Sequence, residues 1–139
     1  MRIAVSIWED KISPVLDTAS KLLIVENETQ TESSRFETNL FEQDVPQRCS
    51  FIRGLDLDVL ICGAVSRQLA EMLKASGIKI ISGISGPAED VLEAYLQGAP
   101  LHARFFMPGS KKSLFDQTLI EREQNSEASI EVRGKDNIL

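Results

Sequence analysis

The chain has 139 residues, 42% of them hydrophobic and 26% charged, with 15 Lys and Arg against 21 Asp and Glu for a formal net charge of −6. That is one domain with room for a short appendage, able to bury about two thirds of its unfolded surface, so wholesale disorder does not fit. The acidic balance and the scattered basic residues, with Lys111–Lys112 the one adjacent pair, argue against a nucleic-acid or anionic-membrane surface.

Residues 2–8 alternate apolar side chains at Ile3, Val5 and Ile7, which predicts a strand with one buried face. Residues 9–20 break the pattern with charges and a Ser-Pro, a loop. A second strand follows at 21–27, polar turn chemistry at 27–33, and a weaker third strand at 34–41. Connections this short favour antiparallel pairing. From Asp44 the period becomes helical, with Val45, Cys49 and Ile52 on one face, Asp44 as cap and Gly54 as stop. The apolar run 58–62 is a strand. Ser66 opens a helix with Leu69, Met72 and Leu73 inward, closed by Gly77. Another strand covers 78–81, and the turn 82–87 leads into a helix that buries Val91, Leu92, Tyr95 and Leu96. Pro87 sits at that helix's first turn, Glu89 and Asp90 beside its positive end, and Gly98 and Pro100 beyond it.

The strand–helix–strand spacing from 58 to 97 implies parallel strands joined by a right-handed crossover. The expected architecture is therefore α/β: a five-stranded mixed sheet, a β-meander followed by αβαβα, flanked by helices. Residues 1–100 form the domain and 101–139 an extension. In that extension, Leu114, Phe115, Leu119 and Ile120 have helical spacing with Ser110 as a cap, and Ile130 and Val132 are isolated hits for a strand. No apolar run approaches the roughly 18 residues of a membrane span, and the N-terminus turns acidic too early for a signal peptide. Two cysteines are too few for a disulfide scaffold, which predicts a reducing cytoplasm.

The soft metal ligands are Cys49, Cys62 and His102, with no CxxC and no HxxxH, so ligand count excludes a local structural zinc site. Cys62 ends a parallel strand just before Gly63, where α/β sheets open their ligand crevices; it is either a small buried hydrophobe or a ligand. Cys49 lies on an inward helix face and reads as core. His102 follows the last core helix, either as a solvent-exposed residue or as an imidazole ligand. Two glycine-containing strand-to-helix turns, 63–66 and 83–86, should share a sheet edge and offer backbone N–H groups to an anion. Neither is a P-loop or a GxGxxG turn. Glu9, Asp10 and Asp17 stand near the first strand's end, but no second carboxylate faces them at Gly63, so two-metal nuclease chemistry is disfavoured. No Ser occupies a GxSxG elbow, and a small anion-processing enzyme would have only Asp17 and Glu9 as bases.

Three segments carry a resemblance: RIAVSIWEDKISPVLDTASKLLIVE at the start, LDVLICGAVS in the middle, and IKIISGISGPAEDVLEAYLQG at the end. Together, in this order and spacing, they are similar to the dinitrogenase iron–molybdenum cofactor biosynthesis family. The resemblance implies a ribonuclease H-like fold without nuclease activity. It also implies a non-catalytic accessory role in nitrogen fixation: binding of iron–sulfur or iron–molybdenum type clusters, or a related anionic cofactor, and their delivery to a partner protein. The matching cofactor-binding positions are Ser13, Asp17, Cys62, Gly63, Gly83, Ser85 and Gly86, with Cys62 and His102 as metal ligands. Family members that hold clusters tend to carry a His in the SPVLDTA-like loop, or Cys and His in or after the last helix. This chain has no His in that loop and has Ser110 in its post-helix segment. A protein-interaction or regulatory module that has lost metal binding is the alternative, with the extension 101–139 mediating either homodimerisation or docking to a partner.

Overall fold

Ile3, Ala4, Val5, Ser6 and Ile7 are all buried, so the first strand, β1 (Arg2–Trp8), is enclosed on both faces rather than one. The computed structural model describes residues 1–28 and 31–106, with the backbone alone at 31–33. The chain continues through β2 (Lys11–Ile12), a 3-10 turn (Leu16–Thr18), β3 (Lys21–Glu28), β4 (Thr31–Asn39), α1 (Val45–Arg53), β5 (Val59–Ile61), α2 (Arg67–Ala75), β6 (Lys79–Ile81), α3 (Ala88–Leu96) and α4 (Leu101–Arg104). The sheet runs β4-β3-β1-β5-β6, with β1, β3 and β4 antiparallel and β1, β5 and β6 parallel. The meander and the parallel half are thus as expected. The sheet has six strands, however, because two residues of the predicted loop 9–20 fold back on β1 as β2, pairing Ile7 with Ile12. The β3–β4 hairpin is also longer than predicted, reaching Glu28 and starting again at Thr31.

Alternation along each strand divides the core into two layers. Ile3, Val5 and Ile7 point with Leu23, Val25, Val59 and Ile61 into a layer closed by Val91 and Leu92 of α3 and Leu101 of α4. Ala4, Leu22, Ile24, Leu60 and Cys62 point the other way, against Cys49 and Ile52 of α1 and Leu69 and Leu73 of α2.

The helix ends follow their sequence signals. Asp44 accepts the Gln47 N–H at 2.9 Å while its own N–H reaches the Gln47 side chain, a capping box for α1. Ser66 accepts from the Leu69 amide at 3.2 Å and caps α2, and Gly77, at φ +91°, turns the chain out of it. Pro87 is the N-cap of α3, and the amide of Ala88 is satisfied by the Asp10 carbonyl at 2.9 Å. The helix predicted near 110–120, its Ser110 cap and the strand at 130–132 lie outside the described residues. Among the described residues, no helix is long and apolar enough to cross a membrane.

Candidate functional site

Because β1, β5 and β6 are parallel, their carboxyl ends deliver three connections to one sheet edge: residues 9–20, 62–66 and 82–87. In open α/β sheets this is where ligands bind. Here backbone hydrogen bonds join the connections. Ser13 N–H donates to the Ser6 carbonyl (2.9 Å), Ala64 N–H to Pro14 (2.8 Å), and Leu16 N–H to Ala64 (2.8 Å). Gly83 N–H donates to Gly63 (2.9 Å), Ile84 N–H to Cys62 (3.1 Å), and Ile12 N–H to Gly86 (2.9 Å). Asp17 completes the set by accepting the Ser66 N–H at 2.8 Å. The expected juxtaposition of Ser13, Asp17, Gly63, Gly83, Ser85 and Gly86 is therefore real. Their chemistry differs from the expectation: the amides of Ala64, Ser66, Gly83, Ile84 and Ser85 are spent on protein oxygens, not offered to an anion.

Beneath this edge lies a polar group that sequence reasoning missed. Cys62 is fully buried in the α1/α2 layer; burial, helped by the Asp17 carboxylate, pushes its thiol up to about 12. Arg48 of α1 is 3% exposed, donating from Nη1 to the Ala19 carbonyl (2.8 Å) and from Nη2 to Phe41 (3.1 Å). Burial lowers its pKa, and the Asp17 charge offsets only part of that. Among the described residues, Arg48 Nε and the fully buried Ser6 Oγ have no hydrogen-bond partner. The signal for Arg48 was present in the sequence: it shares the 45/48/49/52 spacing of the buried face.

His102 follows α3 in the short helix α4 and is exposed, with Nε2 2.9 Å from the Ser82 carbonyl. A carbonyl only accepts, so Nε2 carries the proton in this bond. The segment 105–106 returns to the 82–87 turn. Ser85 N–H donates to the Phe105 carbonyl (2.8 Å), Phe106 bridges Ile84, and a Cβ on Gly86 (φ +121°) would meet the Phe105 ring at 3.2 Å. Arg104 stacks over that ring, 5.1 Å from its centroid. Trp8 and Val15 stand exposed on strand β1 and the 9–20 connection.

Cys62 and His102, the expected metal pair, belong to different layers of the fold. The Cys62 thiol is protonated inside the α1/α2 layer, whereas α4 packs on the α3 layer through Leu101. A thiol is a metal ligand as its thiolate, which this burial disfavours. Among the described residues, no three His, Cys, Asp or Glu side chains group as a metal site. A ligand set that would fully hold a cluster is thus not what these residues provide. Of the acids weighed for two-metal chemistry, Asp17 has its carboxylate engaged by the Ser66 amide, while Asp10 meets α3 through its backbone carbonyl.

The sheet order and the three joined loops define a small α/β domain whose connections converge at the carboxyl ends of parallel strands. Residues 1–98 match the family model described as dinitrogenase iron-molybdenum cofactor, and the chain belongs to that family. No curated protein matches it in sequence. Solved structures share the fold. The orange protein from Desulfovibrio gigas, in its apo form, is 20% identical, with 72% of this chain and 91% of that one covered at a TM-score of 0.58. A candidate NifB protein from Thermotoga is 21% identical over 78% and 98% of the two chains, TM-score 0.59. A candidate dinitrogenase from Methanocaldococcus jannaschii is 19% identical over 70% and 89%, TM-score 0.58.

Proposed function

We propose that the protein is a non-catalytic, cytoplasmic accessory factor that takes up an iron–sulfur or iron–molybdenum type cluster as passing cargo and hands it to a partner protein. The observation that carries this reading is the convergence of three loops at the carboxyl ends of β1, β5 and β6, in a chain of this family. A relative of the same fold is described in an apo form, which speaks for a binding role on this scaffold. We also assign the sheet order to the ribonuclease H-like architecture, without its nuclease chemistry.

The cargo would rest on the exposed rim, on Val15, Ala64, Ser66 and His102, rather than on a buried ligand set. Loose retention suits a carrier, because delivery requires release. His102, the chain's single histidine, is the strongest metal ligand on that rim.

The test is metal and sulfide content, with a visible spectrum, on the full chain purified anaerobically from iron- and molybdenum-replete cells. Bound iron with a charge-transfer band, reduced in His102→Ala and retained in Cys62→Ala, is the expected result. Metal-free protein that also takes up nothing from ferrous iron and sulfide would overturn it. The second reading, an interaction module that has lost metal binding, would then stand. It is favoured by the spent loop amides and the protonated thiol.

A further inference from the structure

The sheet ends at β4, and among the described residues no strand pairs with its outer side. Ser34, Arg35, Phe36 and Glu37 are exposed there, and Phe36 is 45% exposed. The strand reads TESSRFETN over nine residues, with no Pro or Lys; an irregularity opposite Glu26 and Asn27 interrupts its first half, so regular pairing is open from Ser34 onward. Its register is fixed by β3: Arg35 opposite Val25, Phe36 opposite Ile24, and Glu37 opposite Leu23. Arg35 and Glu37 therefore stand on the α3 face, where Arg35 meets Glu89 at 2.6 Å and Glu37 meets Lys21 at 3.7 Å. Phe36 stands on the α1/α2 face.

We propose that β4 pairs antiparallel with β4 of a second copy, about a two-fold axis through Phe36, making one continuous sheet across two molecules. Charge and register single out this arrangement. With the axis at Phe36, residues i and 72 − i are opposite, so Arg35 of each copy faces Glu37 of the other, twice by symmetry. Phe36 faces Phe36 and Ser34 faces Thr38. Moving the axis to Arg35 or to Glu37 sets two like charges directly opposite, which is destabilising in a sheet. An isologous interface needs a self-complementary strand, and this one is self-complementary in a single central register. The extra contacts leave Glu89 and Lys21 in place at the ends of four-charge clusters. The surface is independent of the loop edge and of the cargo reading.

Charge reversal tests it on the full chain, by sedimentation at several concentrations with circular dichroism to confirm folding. Wild type is expected to dimerise. Arg35→Glu places Glu opposite Glu37, and Glu37→Arg places Arg opposite Arg35, so each alone weakens self-association by roughly tenfold or more. Mixed together, the two variants restore complementary pairs and form a heterodimer, and the double swap R35E/E37R dimerises again. A monomeric wild type, dimers that survive both single reversals, or variants that stay monomeric on mixing would each overturn the proposal. The first of these outcomes would leave the edge to a strand from another protein.

Discussion

Asp17 spends its carboxylate on the Ser66 amide and its charge on two buried neighbours, Cys62 and Arg48. For Cys62, burial first and that charge second hold the proton far into the alkaline range. The ordinary thiol value is 9.0, and the folded value is about 12. A raised pKa contributes stability that is whole below 9.0 and is lost as pH climbs toward about 12, because only the unfolded chain releases its proton in that window. Across the whole window the loss is about 4 kcal/mol. Urea unfolding from about pH 8 to about pH 11 should show this decline, and Cys62→Ala should make it shallower, leaving the part that Tyr95, also raised from 10.0 by burial, contributes at the alkaline end. Asp17 was legible in the SPVLDTA loop, though as a ligand rather than a lock. Ser6 was not, since an alternating strand pattern puts no mark on a small polar residue that lies between two covered faces.

The elements most legible in the sequence are those with both a period and a cap: α1 between Asp44 and Gly54, α2 between Ser66 and Gly77. The two-residue β2 and the four-residue α4 are too short for periodicity to register, and they are the elements that close the candidate edge. The 3-10 turn Leu16–Thr18 has no side-chain cap of its own. Its position is set by Leu16 bonding to Ala64 and by Asp17 bonding to Ser66. Asp17→Ala should therefore cost about 1 kcal/mol, modest because the carboxylate is partly exposed. Amide exchange at Leu16, Ala64 and Ser66 should accelerate together. Acceleration of Ser66 alone would show that the turn holds without the carboxylate.

At the scale of the molecule, the family match stops at residue 98 while the fold does not. Leu101 fills the α3 layer, and the Phe105 carbonyl receives the Ser85 amide. A chain ended after Ala99 should lose about 2–4 kcal/mol relative to one ended after Phe106, from one buried leucine and the orphaned amide. Thermal unfolding of the two checks this, and equal midpoints would show that α4 is an ornament to the core.

The double enclosure of β1 also changes what protects its alignment. In a strand with one wet face, a one-residue slip is punished by bringing grease into water. Here both faces are dry, so solvent exposure discriminates little. The discrimination falls to bulk: Ile3, Val5 and Ile7 on one side, Ala4 and Ser6 on the other. A slip would crowd branched side chains beneath α1 and α2 and leave voids under α3. The central strand is held in place by size, and polarity has no vote.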